Sequence, residues 1–263
     1  MQQYLQNKKG LVQSVFDNVY DKYDLMNDFM SLGIHRIWKR NLMSWMNPSK
    51  DKILVDVACG TGDLGKLFLD LTDENCKIYC VDPNSGMISK GKEKLKTYKN
   101  IDWLIAPAEK LPIKDSSCDY YTISFGLRNT KDLNKAIAEA YRVLKPGGAY
   151  VFQEVLAGVE DAVIKFPVPW AKEANMSYLW DEEKIKNSIL KLNMVAHIWK
   201  NATEQYLDEY RILAAKTADV SNTPVMGVHL MLGGEAGVMR RNVVSNLSQG
   251  LIAIYQGVFK KEK

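Results

Sequence analysis

The chain has 263 residues, 46% of them apolar, and a formal charge of +4 at pH 7. That is enough apolar surface for one full core without staples, and the charge is too small and too scattered for the dense basic stripe a nucleic-acid partner demands. Four cysteines without a CxxC pair and only three histidines argue against a zinc centre and predict free thiols in a reducing cytosol. A polar first decapeptide argues against a signal peptide, and no apolar run approaches the roughly 18 residues of a membrane span. The expected location is therefore cytoplasmic, and mild basicity suits a peripheral contact with the anionic inner face of a membrane.

Three zones follow one another in a single domain spanning residues 1–263. Residues 11–47 place Val15, Val19, Leu25 and Phe29 at three-to-four spacing, which predicts a helical cap over the substrate. Residues 50–155 alternate in type. Strands are expected at Ile53–Ala58, Ile78–Val81, Trp103–Ala106, Tyr120–Ser124 and Tyr150–Val155, with helices at Leu64–Leu71, Met87–Tyr98 and Leu133–Leu144. Strands separated by helices predict a parallel, doubly wound α/β sheet. The turn Lys145-Pro146-Gly147-Gly148 reads as the stop of the last helix of this series. Residues 156–263 are less regular, with helices at Asp181–Leu190 and Glu204–Lys216, a final strand at Leu251–Val258, and breaks at Pro167–Trp170 and Thr223-Pro224.

The most informative segment is Val55-Asp56-Val57-Ala58-Cys59-Gly60-Thr61-Gly62-Asp63-Leu64. An apolar strand enters a turn with glycines two apart and leaves as a helix. At Gly60 and Gly62 the missing Cβ reads as room for the backbone to approach a ligand. Val81-Asp82 ends the next strand, where a carboxylate accepts hydrogen bonds from both hydroxyls of a ribose; the alternative is a helix cap ahead of Asn84. Strand three ends at Ala106-Pro107-Ala108-Glu109, where an adenine would meet backbone and small side chains. Strand four ends at Ser124, on the carboxyl edge where ligands bind in open α/β sheets. The hydrophobic-Asp-x-x-Cys-Gly-Thr-Gly loop resembles the first motif of class I methyltransferases. Their cofactor, S-adenosylmethionine, has no pyrophosphate for a helix to hold, which makes a nicotinamide dehydrogenase a poor rival.

Residues 11–148 resemble the ubiquinone/menaquinone biosynthesis C-methyltransferases more specifically. The resemblance rests on Val15-Phe16-Asp17-Asn18-Val19, Lys22-Tyr23-Asp24-Leu25-Met26-Asn27-Asp28, Ser31–Lys39, the Cys59–Leu64 loop, Ala108–Pro112, Ile123-Ser124-Phe125-Gly126-Leu127-Arg128-Asn129 and Glu139–Gly148. It implies a Rossmann-like fold with a mostly parallel seven-stranded sheet and N-terminal cap helices. It also implies an S-adenosylmethionine site lined by Thr61, Asp82, Pro107, Ala108 and Ser124 beside Gly60 and Gly62. Where this chain has Pro107 the family has Asn or Asp, and proline offers neither that side chain nor an N–H. After Gly148 the segments Phe152–Gly158, Pro167–Ala171, Met176–Leu179 and Gly227–Gly233 look more like the sarcosine/dimethylglycine N-methyltransferases.

Methyl transfer from a sulfonium is an in-line displacement, governed mainly by placement of the acceptor. A quinol ring carbon becomes nucleophilic only when a neighbouring phenol loses its proton, so a base or positioned water is needed. No His–Asp pair or close twin carboxylate stands out. Arg128 follows Ser124 by four residues, where a guanidinium would stabilise a phenolate or orient a water, and the resemblance gives it the catalytic role. The alternative is a salt bridge tying its loop to the N-terminal helices. Tyr23 and Asn27 share one helical face and would contact the acceptor, although Tyr23 reads equally well as core; His35 reads as a structural group more readily than as a base. The expected activity is C-methylation of a polyprenyl quinol precursor, demethylmenaquinol or a methoxy-benzoquinol, in ubiquinone or menaquinone biosynthesis. N-methylation of a small amine such as sarcosine, and an inactive cofactor-binding scaffold, remain open. The expected partners are the lipid quinol, a membrane surface, and a homodimer or biosynthetic complex; no nucleic acid or metal is expected. A lipid acceptor requires an apolar channel near Tyr23, Met26, Met30 and Trp38, an amine a closed polar or acidic pocket.

Overall fold

Strand β1 (Ile53–Val57) keeps four of its five residues buried, as a strand does when helices cover both faces of its sheet. It pairs in parallel with β2 (Lys77–Asp82) on one side and β4 (Cys118–Ser124) on the other. Beyond them lie β3 (Ile101–Ile105), parallel to β2, and β5 (Leu144–Ala157), parallel to β4. The strand β7 (Ile252–Lys261) runs antiparallel to β5, and β6 (Met194–Asn201) antiparallel to β7. The result is a seven-stranded sheet in the order β3-β2-β1-β4-β5-β7-β6, the expected mostly parallel sheet. This computed structural model describes residues 34–159, 163–218 and 235–263. Tyr23, Asn27, Met26 and Met30, and most of the helical cap expected over residues 11–47, lie outside them.

Connections and caps follow local chemistry. Helix α1 (Ile34–Met46) precedes β1, and α2 (Asp63–Leu71) starts directly after Gly62. Helix α3 (Ser85–Lys94) is capped by Asn84, whose Oδ1 accepts from the Met87 N–H at 3.0 Å. Asp132 caps α4 (Leu133–Val143), and Asp181 caps α5 (Glu182–Leu190) rather than lying inside it. Helices α6 (Thr203–Ala218) and α7 (Glu235–Ser248) come between β6 and β7. Along β5 the faces alternate as a strand requires. Tyr150 and Phe152 join Ile137 of α4 and Ile185 of α5 in one core; Ala149 and Val151 join Leu42 of α1 and Phe68 of α2 in another. A third cluster at the far end of β5 gathers Trp38, Val155, Tyr206, Tyr210, Val243 and Ile254.

Three readings of the sequence need correcting. Lys145–Gly148 is not merely a helix stop: β5 already begins at Leu144, paired with Cys118, and the register shifts before Ala149 pairs with Tyr120, so the Pro-Gly-Gly turn is an irregularity within a strand. The final strand starts at Ile252 and reaches Lys261. Strand β6 and helix α7 were not expected. β6 is an edge strand with a register shift around His197, most of it half-buried or exposed, which leaves no clear apolar alternation to read.

Candidate active site

The strand order reverses between β1 and β4, and the crevice beyond the carboxyl ends of those strands is where such sheets bind ligands. A cavity of about 170 Å³ lies there, lined at one end by Asp56, Ala58, Cys59 and Thr61 and at the other by Phe125, Trp170, Tyr210 and Val243.

The turn after β1 is held by its own backbone and by Asp82. Ala58, Gly60 and Gly62 all have left-handed backbone, with φ of 52°, 56° and 83°. The Asp82 carboxylate accepts from the Gly60 N–H at 3.0 Å through Oδ2 and from the Asn84 N–H at 2.9 Å through Oδ1. It thus braces the glycine turn and the residue that caps α3 at once. The sequence offered ligand or cap as alternatives. Asn84 is the cap, and each Asp82 oxygen retains lone-pair capacity for another donor. Burial raises the Asp82 carboxyl to about 6, against the two backbone donors that pull it down.

Gly62 is a glycine for a reason other than ligand approach. A Cβ there would lie 2.5 Å from Cη2 of Trp103, so the ring on β3 supports the turn from beneath. The series Gly60-x-Gly62-x-x-Gly65 also repeats the spacing of dinucleotide-binding loops; the glycine pattern alone does not separate the two cofactor classes. Around it sit charges that sequence inspection passed over. Asp63 is bridged by Lys39 of α1 and Lys94 of α3, each at 2.6 Å. Burial opposes its ionisation, but the two ammonium groups hold it well below the usual carboxylate range. Lys94 also donates to Thr61 Oγ1 at 3.0 Å. Asp56 is 1% exposed. Its Oδ1 accepts from Thr122 Oγ1 at 2.7 Å, while Oδ2 is buried with no partner, in the cavity lining. Burial, only partly offset by Thr122, raises it to about 7.

On the β4 side, Phe125 has φ of 55°, and the next residue must be glycine because a Cβ on Gly126 would fall 2.5 Å from that of Ala58. The two loops therefore touch. Ser124 Oγ accepts from Gln153 Nε2 at 2.7 Å, and Gln153 Oε1 in turn accepts from Tyr206 Oη and Gln256 Nε2, both at 3.1 Å. Tyr206 stacks on Trp38 at 4.1 Å, so this buried chain links Ser124 to the aromatic wall. Arg128 does line the cavity. Among the described residues its partner is Glu154 of β5: the guanidinium pairs with a carboxylate that is 0% exposed, and the Arg128 N–H also donates to Glu154 at 3.1 Å. Its Nε is buried without a partner, and its cation lies 5.8 Å from the Phe125 ring and 5.5 Å from the Trp170 ring.

Thus Thr61, Ser124 and Arg128 share one cavity, with Gly60, Gly62 and Asp82 around its turn. Pro107, exposed, and Ala108, buried, follow β3 and lie outside the lining. Glu109 accepts from the Lys131 and Asp132 N–H groups, and the Glu139–Arg142 pair grips Leu111 and Ile113. Those motif residues hold the β3–β4 connection rather than a ligand. Glu154, Trp170, Tyr210 and Arg240 were not singled out in sequence. Of these only Glu154 carried a signal: an acid inside an apolar strand requires a partner.

The sequence profile of the ubiE/COQ5 methyltransferase family matches residues 2–168. The ubiquinone/menaquinone biosynthesis C-methyltransferase UbiE of Rickettsia felis is 48% identical over 153 residues, 56% of this chain and 61% of the relative. The enzyme of that name from Brucella anthropi is 44% identical over 164 residues, 59% and 62%. The chain therefore spans about three fifths of the length of these relatives. Among solved structures, a geranyl diphosphate C-methyltransferase from Streptomyces coelicolor superposes with a TM-score of 0.67 at 14% identity, covering 86% of this chain and 76% of that one. A putative sarcosine dimethylglycine methyltransferase from Galdieria sulphuraria gives 0.65 at 14%, covering 86% and 84%. Both show the fold, that of class I methyltransferases. With more than half its length matched, the chain belongs to the ubiE/COQ5 methyltransferase family.

Proposed function

We propose that this protein methylates a ring carbon of a polyprenyl quinol precursor, with S-adenosylmethionine as donor, in ubiquinone or menaquinone biosynthesis. The observation that carries the reading is one cavity joining the glycine turn to an aromatic wall with Arg128 upon it. Its volume, about 170 Å³, is near the ~150 Å³ that admits a benzene ring. The names of the Rickettsia and Brucella relatives agree.

The residues present fit the donor. Asp82 has lone pairs left for ribose hydroxyls, and the orphaned Asp56 Oδ2 suits an ammonium group. Ile105, 61% exposed, and Pro107 offer an apolar edge beside Asp82 for a purine. When bound, S-adenosylmethionine supplies a methyl on a positively charged sulfur. Thr61 and Ser124 bound the space between turn and wall, and the aromatic residues exclude water from it. Arg128, fixed by Glu154 and flanked by Phe125 and Trp170, holds its charge where an acceptor oxygen ionises, lowering the cost of removing the phenol proton. Arg128 and Arg240 in the lining favour an acceptor that ionises at oxygen. Among the described residues no helix is long and apolar enough to cross a membrane. A polyprenyl acceptor therefore implies work at a membrane surface from the cytoplasm, alone, as a homodimer or within a biosynthetic complex.

The test is incubation with labelled S-adenosylmethionine and a demethylquinol in detergent, with sarcosine in parallel. Label in the lipid phase is expected; label only in the aqueous amine would overturn the reading.

A further inference from the structure

The far wall of the cavity is made by residues that the family profile does not reach. Trp170 follows β5, Tyr210 stands on α6 and Arg240 on α7, all beyond residue 168. Arg128 is paired with Glu154, and Lys39 and Lys94 share Asp63. Arg240 is half-buried in the lining, and among the described residues no carboxylate pairs with it. It acts on the Tyr210 hydroxyl, which burial raises well above its ordinary value while the Arg240 charge pulls the other way. Tyr210 in turn packs edge-on against Trp38 at 6.0 Å. The apolar cavity thus holds the half-buried Arg240 guanidinium beside Tyr210, where the Glu209 carboxylate also acts, together with the Arg128 guanidinium, whose buried Nε has no partner among the described residues.

A neutral acceptor would leave Arg240 partly desolvated and unpaired, an unfavourable arrangement. A cationic acceptor would be repelled, more so beside a sulfonium donor. An anion removes the difficulty, and guanidinium suits a delocalised oxygen anion better than a compact ammonium would.

We propose that the acceptor binds as an anion, an aromatic ring bearing a negatively charged oxygen, and that Arg240 reads that charge from the cavity lining. The charged oxygen is either an ionised phenol or a ring carboxylate. The inference rests on the methyl-transfer reading only for the identity of the cavity, and its test needs no turnover.

Titration calorimetry in the presence of S-adenosylhomocysteine compares naphthoate with naphthamide, its neutral counterpart of the same shape. In a second pair, pentafluorophenol, ionised at neutral pH, is compared with phenol. The wild-type protein is expected to prefer the anion of at least one pair by about 10- to 100-fold, the range of a charge-assisted hydrogen bond. The pair showing the larger preference identifies the oxygen. Arg240→Gln is expected to reduce the preference to about threefold or less, and Arg240→Lys to retain most of it. Should Arg240→Gln fail to fold, the wild-type ratio and its loss in high salt decide instead. Equal binding of anion and neutral partner by the wild type, or an undiminished preference in folded Arg240→Gln, would overturn the proposal. If the preference holds while no quinol is methylated, the proposed function fails and this inference stands.

Discussion

The two ends of the crevice are built by different means. At the donor end, backbone does the work: left-handed residues, two N–H groups on Asp82, and an indole beneath Gly62 that leaves no space for a Cβ. At the acceptor end, side chains from α1, the loop after β4, α6 and α7 meet across the gap. A turn fixed by backbone geometry tolerates few substitutions, whereas a wall of side chains is rebuilt by changing one residue at a time. Of that wall, Trp170, Tyr210 and Arg240 lie beyond residue 168, where the profile match stops, while the likeness of fold extends over 86% of the chain.

The Arg128–Glu154 pair fixes the cation at the acceptor end, and breaking it gives the largest expected effect. Arg128→Ala leaves a carboxylate at 0% exposure with only backbone donors from Arg128 and Val155. The expected cost is about 3 kcal/mol, at the low end for a broken buried pair because those two N–H groups remain. Urea unfolding reads it directly. Adding Glu154→Leu should restore most of the stability without restoring turnover, which separates the structural from the chemical part of Arg128. A single variant as stable as wild type would mean that the pair does not hold the loop after β4 to β5.

At the donor end, Asp82→Asn is expected to weaken S-adenosylhomocysteine binding about 100-fold, or about 2.8 kcal/mol, through loss of charge-assisted hydrogen bonds. Retained affinity within about threefold would remove Asp82 from the site. Gly62→Ala should destabilise the fold by about 1–2 kcal/mol from left-handed φ alone, with the Trp103 clash in addition. Trp103→Leu in the same chain should recover only the clash, because the φ of 83° remains. Full recovery in thermal unfolding would show that backbone strain is not what requires glycine there.

The same contrast governs how much was legible in sequence. The parallel strands could be read because apolar residues recur in them, four of the five in Ile53–Val57. The glycine turn and Asp82 announce themselves by spacing. The acceptor wall does so only at Trp38, expected along an acceptor channel and found in the cavity lining, because Phe125, Trp170, Tyr210 and Arg240 are scattered along the chain and meet it only through the fold. Nor does sequence distance show that Asp63 joins Lys39 to Lys94, or that the Glu139–Arg142 motif holds a loop. Tyr23 and Asn27 lie outside the described residues, so their assignment to the acceptor rests on their helical spacing in the sequence.

The smallest effect expected is that of pH, which acts on the donor end without mutation. Burial raises Asp82 to about 6 and Asp56 to about 7, above the value near 4 of an unfolded aspartate. With folded values raised, the contribution of these groups to stability is fully present below about pH 4 and is lost as pH rises through 6 and 7. Hydroxyl and ammonium donors favour the ionised carboxylates, so binding has the opposite sign. Affinity for S-adenosylhomocysteine should rise between pH 5 and 7, by up to about tenfold per pH unit for each proton released, and level off above about pH 8. Calorimetry in buffers of different ionisation enthalpy counts those protons. Asp56→Asn should abolish the upper part of the rise and leave the part near pH 6, because Asp56 is the higher of the two. An affinity flat from pH 5 to 8 would mean that neither carboxylate meets the ligand, and that the backbone of the turn grips the donor without their charge.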